Sequence, residues 1–202
     1  MSRMTRAQQQ ERTHDQLLDG GRAVFLRRGF LAATVEEIAA EAGYTRGAIY
    51  KHFGGKEGLW QAVVAVRVDE HLERLRSALD RAGGHGELLA ALDPSAVLVD
   101  SDAARWTAAS VEFLAAVAGD PRHADPVAAV QRRFDEELVR LLTRHCARLG
   151  IRPALPLPRL VTALDALFGG LAVRRAVDPT IDAATIAADM LALVLPPPDP
   201  SP

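Results

Sequence analysis

Cysteine occurs once in the 202 residues, at Cys146. A lone thiol closes no disulfide within the chain and supplies no cysteine-rich zinc site. Lysine occurs only as Lys51 and Lys56; arginine carries the rest of the positive charge. Aromatic residues make up 5% of the chain, so each large ring is conspicuous. No apolar run approaches the roughly 18 residues of a membrane-spanning helix. The polar start, MSRMTRAQQQERTHDQ, has no apolar core of the kind a secretory signal needs. A cytoplasmic protein without a membrane partner is therefore expected. No useful stretch alternates at the two-residue period of a strand, and no internal repeat is visible. The phosphate-binding loop, H-E-x-x-H, G-x-S-x-G and the dinucleotide glycine motif are all missing. The six histidines include no pair three or four residues apart. Neither an enzyme, a metal site nor a cofactor is expected.

Apolar residues make up 49% of the chain, enough for a sizeable core. Their spacing is helical throughout, which predicts an all-α protein. Net charge is only −2, but it is unevenly spread: residues 1–56 hold nine basic and six acidic residues, leaving the remainder acidic. A basic end on an acidic body fits nucleic-acid binding by one end.

The most informative stretch is TVEEIAAEAGYTRGAIYKHFGGKEGLW, Thr34 to Trp60. Thr34 and Glu37 have the spacing of a capping box. Ile38 and Ala42 share a face, and Gly43 can end the helix in the left-handed conformation. Thr45 can cap a second helix through Ile49 to about Phe53, which Gly54-Gly55 breaks. Two short helices around a tight glycine-containing turn are the signature of a helix-turn-helix, whose second helix enters the major groove of DNA. Arg46 suits a bidentate contact with guanine. Thr45, Tyr50, His52 and Lys56 suit phosphates, with Thr34 added to that DNA-facing set. Lys51 can do either, while Gly47 and Ala48 allow close approach.

These residues resemble the DNA-binding domain of TetR-family transcriptional regulators. The matching pieces are LLDGGRAVFLRRGF, TVEEIAAEAG and TRGAIYKHFGGKEGLW, within Gln10 to Val66. The family more often has two alanines where this chain has Gly20-Gly21. The resemblance implies a helix-turn-helix domain over residues 1–56 and a larger regulatory and dimerisation domain over 57–195.

Along the chain, helices are expected from about 8 to 28, 56 to 81, 87 to 92, 102 to 118, 126 to 149, 158 to 175 and 181 to 195, besides the two short ones. Most of the prolines fall between them. The tail PPPDPSP, within residues 196–202, is expected to be disordered. Arg3 and Arg6 either touch DNA or belong to a frayed end. In the body, Trp60, Trp106, Phe113, Phe134 and Phe168 are either core or ligand contacts. The resemblance implies a pocket between the long connecting helix and those after it, for a small, largely apolar effector. His145 on its apolar stripe is either a satisfied core histidine or a ligand contact; Arg105 and Cys146 are further candidates for the wall. The resemblance also implies that the last two helices pair with their copies in a homodimer. Leu160, Leu164, Leu167, Leu171, Ala184, Ala187, Ala188 and Leu191 are the candidate contacts, and packing within the chain is the alternative.

The sequence thus points to a ligand-responsive regulator that binds a palindromic double-stranded operator as a homodimer and represses until a small molecule releases it. The alternative is a helical carrier or partner-binding protein without productive DNA binding.

Overall fold

The structure is a computed structural model and describes residues 5–94 and 101–198. Arg3 and the last four residues of the tail lie outside the described residues. Nine helices and no strand occur among the described residues: α1 (Arg6–Ala32), α2 (Val35–Glu41), α3 (Arg46–Phe53), α4 (Lys56–Arg81), α5 (His85–Leu92), α6 (Ser101–Val117), α7 (Pro121–Leu149), α8 (Leu157–Val177) and α9 (Ala183–Val194). None of them is long and apolar enough to cross a membrane.

Local chemistry sets the boundaries. Thr5 closes a capping box with Gln8 at the start of α1, and Thr34 closes another with Glu37 at the start of α2. Helix α7 starts five residues before the expected Pro126. Asp120 accepts the amide of Arg122 at 3.0 Å, and Pro121 is the first helical residue. An aspartate cap followed by proline is a strong start signal, since the missing proline N–H would be unpaired there in any case. Arg122 also holds the Asp120 carboxyl down to about 2.

The chain forms two compact units: residues 1–67 with 108–127, and residues 68–107 with 128–202. In the first, rings make the core. Phe30 lies 5.5 Å from Trp60 and 4.9 Å from Phe113, centroid to centroid; Phe25 meets Trp60 edge-on at 5.0 Å. Such tilted and edge-to-face pairs suit the aromatic quadrupole. Trp60 and Phe113 are each 1% exposed, so both candidate ligand contacts are core residues. Gly20 and Gly21 are buried in α1, and each lies under a neighbour. A Cβ at Gly20 would stand 2.9 Å from that of Ala42, and one at Gly21 3.0 Å from Leu59. The glycines are thus sites of close helix packing.

In the second unit, Leu79, Leu88, Leu141, Cys146, Ile151, Leu160, Leu191 and Leu195 form one cluster, with Phe168 packed against it. A smaller cluster joins Leu171, Ala183 and Ala187. Leu160, Leu171, Ala187 and Leu191 therefore face their own chain. Leu164, Leu167 and Ala184 are half-buried, and of the eight candidate dimer contacts Ala188 is exposed. His145 is 3% exposed and satisfied. Its Nδ1 accepts from Arg148 at 3.0 Å, and its Nε2 lies 3.2 Å from Asp80 Oδ1. That pattern fits the neutral Nε2–H tautomer, and burial, with the charges of Arg144 and Arg148, pushes its pKa down. Arg148 also donates to the carbonyls of Leu79 and Ala82, closing the end of α4. Ion pairs Arg133–Asp69, Arg76–Glu137 and Arg144–Asp80 link α7 to α4. Beside them lies an open cleft of about 320 Å³ lined by Arg76, Asp80, Glu137, Arg140, Leu141 and Arg144. Its wall is charged and contains none of the six candidate ligand contacts. Phe134, half-buried, stacks on His71 with centroids 5.8 Å apart. Trp106 is half-buried too, and Arg105 is exposed near Asp102.

Candidate nucleic-acid interface

Helices α2 and α3 are joined by residues 42–45. Ala42 is the last near-helical residue, and Gly43 takes φ +74°. The amide of Tyr44 bonds the Ala39 carbonyl at 2.8 Å and that of Gly43 bonds Ala40 at 3.2 Å. These two bonds form a Schellman motif, which satisfies carbonyls at the helix end. The Tyr44 hydroxyl donates to Gln16 at 2.7 Å, tying the turn to α1. Thr45 stands at the N-cap of α3, but its hydroxyl makes no cap bond and is left for another acceptor or donor. Thr34, by contrast, spends its hydroxyl on Glu37.

Ile49 is fully buried and anchors α3, with Phe53 half-buried beside it. Arg46, Gly47, Tyr50 and Lys51 are exposed; Ala48 and His52 are half-buried. Tyr50 keeps 57% of its surface open. Four residues expected on DNA thus share one open face. The helix ends at Gly54, φ +78°. A Cβ at Gly58 would overlap the Phe53 carbonyl oxygen, so glycine there lets α4 sit directly on the end of α3.

Lys56 departs from expectation. Its ammonium donates to the carbonyls of Phe30 and Ala33, each at 3.0 Å, and approaches that of Leu31 at 3.4 Å. It also lies 4.5 Å from the Phe30 ring centroid. An ammonium has three N–H donors, and they serve the end of α1 rather than a phosphate. Glu112 of α6 serves the same segment by accepting the Leu31 amide at 2.9 Å. The chain can bend there because Gly29 takes φ +77°.

The head's charge is also more paired than its count suggests. Arg27 pairs with Glu41 and Arg28 with Glu37, both at 2.8 Å, fastening α2 to α1. Arg46 pairs with Glu36 at 2.7 Å. Glu36, in the sequence one negative charge among the six of residues 1–56, sits in the first turn of α2 beside the next helix. His14, likewise unremarked, lies 4.7 Å from Phe53 and 5.9 Å from His52, centroid to centroid. Burial, then the charges of His14 and Lys51, lower the His52 pKa. A neutral His52 offers phosphate an N–H rather than a charge.

Comparison with known proteins agrees with this geometry. Residues 17–63 match the family described as "Bacterial regulatory proteins, tetR family". The HTH-type transcriptional regulator SrpR of Pseudomonas putida is 45% identical over 67 residues, 33% of this chain and 31% of SrpR. Across this and two similar relatives, the chain spans 31–49% of their length. The HTH-type transcriptional repressor AcnR of Corynebacterium glutamicum is 25% identical over 179 residues, 89% of this chain and 90% of AcnR. Among solved structures, SmeT, the repressor of the Stenotrophomonas maltophilia multidrug efflux pump SmeDEF, superposes with a TM-score of 0.64 at 25% identity, covering 94% of this chain and 97% of SmeT. The likeness is strongest where the two short helices meet and extends through the helices that follow: residues 17–63 match the TetR family of bacterial regulatory proteins, and the rest of the chain shares the fold of such regulators.

Proposed function

We propose that this protein is a transcriptional repressor, which binds a two-fold symmetric DNA operator as a homodimer and leaves it when a small molecule binds the helical body. The observation that carries this is the open face of α3: Arg46, Gly47, Tyr50 and Lys51 exposed together on a helix anchored by Ile49. A basic, aromatic helix face presented this way suits the major groove and its flanking phosphates. In SmeT and AcnR, the relatives named as repressors, the likeness covers nearly the whole chain.

The head lies in residues 1–56 and the regulatory and dimerising body in 57–195. Apolar surface on α8 and α9 supports the homodimer. Val177 is 83% exposed and Leu193 68%, with Val173 and Ile186 also open. Ala163, Ala166, Gly170, Ala188 and Ala192 lie exposed among them, and small residues let helices approach closely. The effector has apolar area to meet half-buried Phe134, Phe168 and Trp106.

The test is enrichment of genomic fragments by the purified protein, followed by transcription from the enriched promoters. Discrete sites with inverted repeats, silenced by the protein, are expected. Binding without sequence preference would leave the carrier reading instead.

A further inference from the structure

Three acids project from α2, and they do different things. Glu37 and Glu41 pair with Arg28 and Arg27 of α1. Glu36 turns the other way: its Oε1 accepts from Arg46 Nη1 at 2.7 Å, on the first residue of α3. The pair is open to solvent, with 67% of the Arg46 side chain and 59% of that of Glu36 exposed. It stands on the same open face as Tyr50 and Lys51.

We infer that Glu36 is a positioning residue for base recognition: it holds the Arg46 guanidinium in the orientation that reads guanine, and so sets operator specificity at that base pair. This rests on the proposed DNA-binding function.

A long side chain loses freedom when it is fixed on a base. An arginine carries much rotamer entropy, part of which is lost when its fork meets a base. A carboxylate that already holds one nitrogen removes some of that freedom beforehand. Affinity then goes further at the right base, because less ordering remains to be done. The guanidinium has five N–H donors in a rigid fork. One bond to Glu36 leaves enough for guanine O6 and N7.

Charge argues that the arrangement is not for affinity. A carboxylate facing the DNA repels phosphate and offsets the attraction of Arg46. An acid on this face therefore lowers binding to every sequence alike, unless it is repaid at one. Discrimination rises when wrong partners meet a negative charge or an immobilised arginine that finds no acceptor. The pair itself is stable to ordinary pH: its hydrogen bond lowers the Glu36 pKa and raises that of Arg46. Glu36 thus stays ionised wherever the protein is folded and bound to DNA near neutrality.

The experiment uses the full-length protein and a pool of randomised double-stranded DNA. Sequences are selected by wild type, Glu36→Gln, Glu36→Ala, Arg46→Ala and the double variant Glu36→Ala/Arg46→Ala, with the melting temperature of each recorded. Wild type should enrich one guanine-containing position per half-site that Arg46→Ala no longer enriches. Both Glu36 variants should relax that same position about tenfold, keep the others, and bind unselected DNA at least as well as wild type. In the Arg46→Ala background, loss of Glu36 should change preference nowhere. A Glu36 variant that gains affinity for all sequences without losing preference makes Glu36 a mere repulsive charge and overturns the inference. So does unchanged preference at every position, or relaxation that persists without Arg46. A wild-type protein that enriches no sequence removes the DNA-binding reading itself, and this inference with it.

Discussion

At the scale of single residues, the structure divides side chains that look alike in the sequence. Lys51 and Lys56 are both basic and five positions apart, yet Lys51 is exposed and Lys56 holds three carbonyls. The expected outcome of Lys56→Met is a loss of stability of about 1–3 kcal/mol, the cost of leaving such carbonyls unpaired. The salt dependence of DNA binding should stay near that of wild type. Lys51→Met should do the reverse, flattening the salt slope with little change in denaturant midpoint. The two histidines that burial drives toward neutrality, His145 and His52, give a pH effect of known sign. In the unfolded chain they take up protons near their ordinary value of about 6.5, and in the folded chain only below that. The unfolded state then binds more protons, so stability is full above about pH 6.5 and falls as the pH drops through the folded values. Melting temperature against pH should show this decline, and His145→Gln should make it shallower. None of these partnerships was legible locally. Lys56 meets residues 23 to 26 positions away, and Arg46 meets Glu36 only because the glycine turn folds α2 beside α3.

Elements were far easier to foresee. The capping box at Thr34, the glycine at 43 and the stop at Gly54 each carry their own chemistry within four residues, and α2 and α3 fall where those signals put them. Helix α7 starts at Asp120-Pro121 rather than at Pro126, because an aspartate cap followed by proline is the stronger start signal. What periodicity could not decide was which side of α9 faces inward. AATIAADMLALV is apolar nearly all round, so Ala187 and Ala188 look equivalent. In the structure Ala187 is fully buried and Ala188 exposed. Ala187→Arg should therefore unfold the chain, since an unpaired buried charge costs several kcal/mol. Ala188→Arg should leave a folded protein that sediments as a monomer if α8 and α9 form the dimer seam. Gly20→Ala separates helix propensity from packing. Alanine gains about 1 kcal/mol in a helix interior, yet its Cβ would press on Ala42, including that residue's backbone. A net loss in melting temperature is expected, because the neighbour is a helix rather than a flexible side chain.

At the scale of the molecule, affinity should come from two heads acting together. A dimer touching roughly 6–10 phosphates should lose about 10³–10⁵ in affinity between 50 and 200 mM salt. Binding that stays flat over that range would contradict an operator gripped by phosphates. Effector and operator should also be linked reciprocally: a coupling of about 1–3 kcal/mol weakens each partner's binding some 5–150-fold when the other is present. Titrating an effector with and without operator measures both directions. One detail of the first unit bears on how such proteins can be recombined. Glu112 takes the Leu31 amide, and Phe113 packs against Phe30 and Trp60, although these residues lie about eighty and fifty positions apart in the chain. The head proposed to read DNA is therefore completed by a stretch of α6. A sensor chimera made by cutting at residue 67 and joining a foreign body would bring a stranger's side chains to those places. Transplanting residues 108–127 with the first 67 should restore a cooperative melt and sequence-selective binding that the simple fusion lacks. For this protein, the portable module is discontinuous.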